Sequence, residues 1–132
     1  MRKSILILVT IVALLGSVAG CRKAPVNGDL DGQWQVMKID YKDSIDVVPE
    51  QVYYCFFLHT VNLSRVGGGI VGGNMQYDEG GKTLRLQFPY NDGKSLNIWG
   101  MDASETVFSI KELTGKCLVI ESNIALIELR KF

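Results

Sequence analysis

The chain of 132 residues has no surplus of either charge, since 14 Lys+Arg stand against 14 Asp+Glu. A nucleic-acid binder needs a basic excess gathered on one face, so that class is excluded. There is one histidine, His59. A zinc site needs three or four convergent ligands, and one imidazole with scattered carboxylates does not supply them. No Gly-x-Ser-x-Gly elbow is present for serine hydrolysis, and His59 would have to be its only base. Asp40, Asp43, Asp46 and Glu50 fall in a polar connection and read as a solvated loop rather than a paired acid and base. The composition therefore points away from an enzyme and calls for no metal and no cofactor. Nor does any apolar run reach the ~20 residues that span a bilayer. At 47% hydrophobic and 21% charged residues, the chain is too apolar for a disordered tail. Its length suits one domain.

The N-terminus is organised differently from the rest. Arg2 and Lys3 precede an apolar run over residues 5–15, interrupted only by Thr10, and Gly16 and Ser17 follow. A basic start, a short apolar middle and small residues behind it match a secretory signal peptide, assigned to residues 1–20. The next feature is Val18-Ala19-Gly20-Cys21, which resembles a bacterial lipobox. That resemblance implies a diacylglyceryl group on the Cys21 thiol and cleavage before it. The mature body then has 12 basic against 14 acidic residues, so attachment to the membrane would rest on the acyl chains at ~0.8 kcal/mol per buried methylene. Residues 21–29, beginning Cys21-Arg22-Lys23, are polar and turn-rich and read as a tether. By resemblance to exported lipoproteins, Arg22 and Lys23 in place of acidic residues favour the outer membrane with the body facing the periplasm.

Residues 30–132 read as strands throughout. Segments rich in β-branched and aromatic residues alternate with Gly, Asn and Asp turns, the pattern of an antiparallel all-β barrel or sandwich. The segments are 33–39, a long one at 52–63, a glycine-rich stretch leading into Met75-Gln76-Tyr77, then 83–88, 107–113, 116–121 and 124–131. Residues 95–101, with Trp99, suit a short helical plug. Seven or eight strands in this length predict a small closed barrel, whose interior is either filled by side chains or just wide enough for one small ligand. In the 52–63 segment both parities are apolar up to Leu58, which predicts that something covers the outer face of its first half.

Leu30-Asp31-Gly32-Gln33-Trp34 resembles the Gly-x-Trp signature that opens the first strand of lipocalins and lipocalin-like bacterial proteins. With the lipobox, the Tyr-rich second segment and the closing Leu129-Arg130-Lys131-Phe132, the chain resembles a small Bacteroidetes family of lipocalin-like lipoproteins of unknown function. The resemblance implies that Gly32 and Trp34 are fold residues, with Trp34 closing one end of the barrel.

Three further features bear on chemistry. Gly67-x-Gly69-x-x-Gly72 satisfies the spacing of a dinucleotide fingerprint, but that fingerprint must open a helix. Here a strand follows, and no Gly-Lys-Ser/Thr comes directly after the glycines as a P-loop requires. His59 and Cys55 lie four residues apart, roughly 13 Å along a strand, too far to act together. Cys55 and Cys117 remain once Cys21 is acylated, and they are either a disulfide of an exported protein or two packed thiols. The candidates for lining a ligand pocket are Trp34, Phe57, His59, Tyr77 and Trp99. The function these features suggest is a membrane-anchored barrel binding a small apolar or amphipathic ligand in an interior cavity of a few hundred Å³. The alternative is a tethered interaction module with a filled core and an envelope protein as partner.

Overall fold

The computed structural model describes residues 27–132. A single 3-10 turn, Gly28–Leu30, leads into eight strands: β1 Gly32–Tyr41, β2 Val52–Phe57, β3 Thr60–Arg65, β4 Val71–Asp78, β5 Thr83–Gln87, β6 Glu105–Leu113, β7 Cys117–Glu121 and β8 Ala125–Lys131. Each strand pairs antiparallel with the next, and β1 pairs with β8, so the meander closes into a barrel. Closure leaves the ladder without a free edge, which answers the hazard of unpaired backbone groups. The eight strands close on one another around a single core cluster, so residues 27–132 hold a complete barrel with its own core.

The interior face follows the two-residue period of the strands. Val52, Tyr54 and Phe56 point inward on β2, Val61 and Leu63 on β3, Leu84 and Leu86 on β5, Phe108 and Ile110 on β6, and Leu118 and Ile120 on β7. On β1 the inward series runs Trp34, Val36 and then Ile39, because the register with β8 shifts between Val36 and Lys38. That bulge turns Met37 outward and changes the parity of the strand. Each fully buried apolar side chain of this set contributes about 1.5–3 kcal/mol of transfer free energy.

The segment read as one strand over residues 52–63 is a hairpin. Leu58 and His59 form a two-residue loop, with Leu58 at φ 56°, and Phe57 pairs with Thr60. The pairs Phe56↔Val61 and Tyr54↔Leu63 join an even position to an odd one across the loop. The segment is thus two strands: β3 is apolar on its inner face alone, whereas β2 keeps Tyr53, Cys55 and Phe57 on its outer face, where the Phe132 ring packs edge-on against Tyr53 at 5.2 Å. Tyr54 and Phe56 are wholly buried inside the barrel, so no cover is needed over them.

The glycine-rich stretch runs into β4, not into a helix, and Gly72 and Gly73 lie within that strand. A Cβ at Gly73 would come within 2.5 Å of the Phe88 ring and of the Gln87 carbonyl oxygen. The missing side chain lets Phe88 fill the interior at that level.

The two ends of the barrel differ. Three short loops, over residues 58–59, 79–82 and 114–116, close the lower end, where β1 begins. The upper end carries the connections over residues 42–51, 66–70, 88–104 and 122–124. The longest of these holds the 3-10 turn Asn97–Trp99, and its Leu96, Trp99 and Met101 are buried in the common core. The plug expected from residues 95–101 is therefore in place.

Candidate functional site

The lower end is sealed. Trp34 is completely buried and its indole N–H donates to the Leu30 carbonyl at 2.9 Å. The Lys131 ammonium lies 4.2 Å from the centroid of the Trp34 ring and donates to the carbonyls of Asp29 and Asp31 at 2.9 and 2.5 Å. Desolvation in this position pulls the Lys131 pKa down, opposed by the carboxylates of Asp29 and Asp31. Gly32 makes the arrangement possible: its φ is +130°, and a Cβ there would stand 2.8 Å from the Lys131 nitrogen. Asn27, whose side-chain amide donates to the Leu58 carbonyl at 2.8 Å, fastens the start of the described chain to the same end. The last three residues of the segment read as a tether thus belong to the barrel.

The interior is filled. Trp34, Tyr54, Phe56, Phe88 and Phe108 occupy it together with aliphatic side chains, all with essentially no exposure. The space expected for an enclosed ligand is taken by side chains, because the plug adds Leu96, Trp99 and Met101 to an interior the strands already crowd. Three hydrogen bonds lock the plug. The buried Tyr54 hydroxyl donates to the Trp99 carbonyl, the Trp99 indole donates to the Ser64 carbonyl at 3.3 Å, and the Tyr41 hydroxyl donates to the Asn97 carbonyl at 2.8 Å. Burial raises the pKa of both tyrosines, and Tyr54 has no contact with water to support a phenolate.

Open space lies above the plug. A cleft of about 630 Å³ runs between the loop over residues 42–51, the upper ends of β2 and β3, and the plug. Its apolar walls are Tyr41, Val47, Pro49, Val52, Val66 and Ile98. A second depression of about 400 Å³ adjoins it and shares Arg65 and Ile98, with Ile70, Lys94, Ser95 and Trp99 on its other side. The loop that forms the outer wall is held by a two-way backbone pairing of Val47 with Ile39, at 2.7 and 2.8 Å. On the solvent side Lys38 bridges to Asp46 at 3.2 Å. A hydrogen bond between the Asp40 and Asp46 carboxyls raises the pKa of Asp40 and lowers that of Asp46.

The five residues expected to line one pocket do not meet. Trp34 is core at the lower end and Trp99 is core at the upper end. Phe57 is 63% exposed on the outer wall, and His59 stands exposed in the β2–β3 loop. Tyr77 lines a separate groove at the lower end among Asp29, Glu79, Lys82, Lys111 and Glu112, a charged surface unsuited to an apolar ligand. Only Trp99 touches the upper clefts. Cys55 and Cys117 are both free thiols in the barrel. They face outward on β2 and β7, with β1 and β8 between them, roughly 14 Å by strand spacing; a bridge needs Cα atoms within ~7 Å. Among the described residues no group of three His, Cys, Asp or Glu side chains is placed to hold a metal. Cys21 and the signal segment lie outside the described residues.

The cleft residues Tyr41, Val47, Arg65, Val66 and Ile98 were missed because they come from strand ends and three separate connections and share no motif. One signal was present for Arg65. Counting parity through the β2–β3 hairpin puts it on the inward side of β3, opposite Val52, one step beyond Leu63.

The comparisons with known proteins agree with this architecture. A lipocalin-like protein of Bacteroides uniformis superposes with a TM-score of 0.67 at 23% identity, over 80% of this chain and 100% of that one. An uncharacterized protein of Bacteroides eggerthii gives 0.60 at 18% identity, over 77% of this chain and 98% of that one. These likenesses concern the fold. No curated protein matches the chain. The family model of the lipocalin-like domain matches residues 14–132, and the chain belongs to that lipocalin-like family.

Proposed function

We propose that this protein binds a small apolar or amphipathic molecule at the mouth of its barrel, above the plug and not inside the calyx. The observation that carries this reading is the contrast between the two spaces. The interior is occupied by the protein's own side chains, whereas the upper end keeps a cleft of about 630 Å³ whose walls combine Val47, Pro49, Val52, Val66 and Ile98 with a few polar groups. That volume is in the range of small-molecule sites, which are apolar with a few placed polar groups. The fold supports a binding role more readily than catalysis, and no nucleophile with a positioned base faces the cleft. The proposal also takes Cys21 as the acylated N-terminus of a periplasm-facing, outer-membrane lipoprotein. Its support is the sequence from Arg2 to Cys21.

Nile red, a neutral apolar dye, tests the site. Residues 27–132 should bind it saturably with a blue-shifted emission. Val66→Asp and Ile98→Asp should abolish binding, while Val107→Asp, half-exposed on the outer wall of β6, should leave it intact. Absence of saturable binding, or binding that survives both mouth variants, defeats the reading. Anchoring is tested separately: radiolabelled palmitate should be incorporated into the full chain and lost in Cys21→Ser.

A second reading, an interaction module with an envelope protein as partner, draws on the exposed Ile45, Val48 and Ile70 in the loops of the same end. It gains if Nile red fails to bind while Val48→Asp or Ile70→Asp releases a co-purifying protein from the full chain.

A further inference from the structure

Arg65 differs from the other arginines of the barrel. Its register with Val52 sets it on the inward side of β3 at the upper rim, where the series Val61, Leu63, Arg65 leaves the core and meets the mouth. It borders both upper clefts. The ion pairs among the described residues are Lys38–Asp46, Arg85–Glu105 and Lys111–Glu121, and Arg65 belongs to none of them. Lys94 lines the adjoining depression and is likewise without an ion pair among the described residues. Glu50, on the wall of the larger cleft, is the single carboxylate against these two cations, and it lies beyond ion-pair reach of Arg65.

We infer that the mouth selects a free single-chain amphiphile with an anionic head, whose head is taken by Arg65 and whose tail lies along Val47, Val52, Val66 and Ile98. This inference rests on the mouth-binding reading above and adds the sign of the ligand's charge. An unpaired guanidinium presents a planar fork of donors matched to a carboxylate or a phosphate, and its weak hydration suits a contact beside apolar walls. Lys94 adds a second positive charge in the smaller depression that Arg65 also lines. The arrangement is one-sided: Arg65 where the two clefts join, Lys94 in the smaller one, and aliphatic side chains along the larger one. Arg65 is exposed, so a neutral ligand leaves it solvated and gains nothing from its charge, whereas a cationic one is repelled.

Calorimetric titration of residues 27–132 with decanoate, decanol and decyltrimethylammonium, each below its micelle concentration, decides the matter. Decanoate should bind at least about tenfold more tightly than the other two. Arg65→Met should remove that advantage and leave decanol binding unchanged. Glu50→Gln should tighten decanoate a few-fold. Arg85→Met, a cation on the outer wall, should have no effect. If decanol or the cation binds as well as decanoate, or if Arg85→Met weakens decanoate as much as Arg65→Met does, the charge assignment is overturned while mouth binding stands. If no amphiphile of any charge binds, the mouth reading itself has failed. Association with vesicles of anionic phospholipid without binding of free decanoate would overturn the inference in favour of a membrane-surface contact.

Discussion

The ammonium of Lys131 stands 4.2 Å over the ring of Trp34, joining the last strand of the barrel to the first across the closing seam. Residues almost a hundred positions apart in the chain thereby close the lower end, and Gly32 leaves the room for it. Gly32→Ala forces an L side chain into φ +130° and pushes against the Lys131 nitrogen. It should destabilise the fold by about 1–3 kcal/mol. Lys131→Met keeps the aliphatic stem and loses the cation over the ring, at about 0.5–2 kcal/mol. Urea unfolding of residues 27–132 checks both. Because the two act at one spot, the double variant should cost less than the sum of the singles; strict additivity would show that Gly32 serves something other than the Lys131 contact.

Tyr54 gives a pH dependence with a definite sign. Its hydroxyl is buried and bonded to the Trp99 carbonyl, so its folded pKa is raised above the ordinary value of 10.0. The unfolded chain therefore loses this proton first. The stabilisation is complete below pH ~10 and is lost as pH rises beyond it, by about 1.4 kcal/mol for each further unit. Tyr54→Phe leaves the Trp99 carbonyl without its partner and should cost about 1–3 kcal/mol at neutral pH. Above pH 10 the gap between the two proteins should narrow. Stability measured by urea from pH 7 to 11, with tyrosinate absorbance followed in parallel, tests this; a gap constant with pH would mean that Tyr54 ionises in the folded barrel.

How far the molecule was legible in its sequence depended on whether a local rule had one outcome. The closing strands over residues 107–131 stood out because their apolar residues alternate between unmistakable turns at Thr114-Gly115 and Ser122-Asn123. The β2–β3 hairpin did not, because its loop is Leu58-His59, without the Gly, Asn or Asp that marks a two-residue turn. Reading through that loop shifted the parity by one position and made Tyr54 and Phe56 look half outward. Arg65 continues the inward series Val61, Leu63 whichever way the segment is read, but nothing local shows that the strand ends there at an open rim. The plug was recognisable from Trp99, but not its effect: that it fills the calyx depends on Phe88, Leu96 and Met101 joining the common core and on the Tyr54–Trp99 hydrogen bond, which no local pattern encodes. The mouth cleft was illegible for the same reason, since its walls come from three connections and the strand ends beside them, which meet only when the barrel closes.

The two barrel cysteines should behave independently. Cys117 is exposed and Cys55 half-buried on the outer wall. Ellman's reagent should titrate two thiols in folded residues 27–132, with Cys117 reacting first. The unfolding midpoint should be the same with and without reductant, because no loop of the described chain is closed by sulfur. An intact mass lower by the two hydrogens of a disulfide, or a midpoint that falls on reduction, would show a bridge and would require β2 and β7 to approach each other in a way the strand order forbids.

Thr106 tests the packing of the upper interior. It faces inward on β6 opposite Leu86, it is 7% exposed, and its hydroxyl meets no hydrogen-bonding group among the described residues. A buried hydroxyl without a partner costs about 1–3 kcal/mol relative to an apolar group of the same shape. Thr106→Val preserves the volume and removes the polar atom, so it should stabilise the barrel by about 1–2 kcal/mol. Thr106→Ser keeps the hydroxyl and deletes the methyl, so it should destabilise by about 1 kcal/mol, near the value of one buried methyl. Opposite signs for the two variants in urea unfolding are the expected result. If Thr106→Val destabilises instead, the hydroxyl has a partner in solution, and the upper interior is wetter than a core sealed by Phe88 and Met101 would allow.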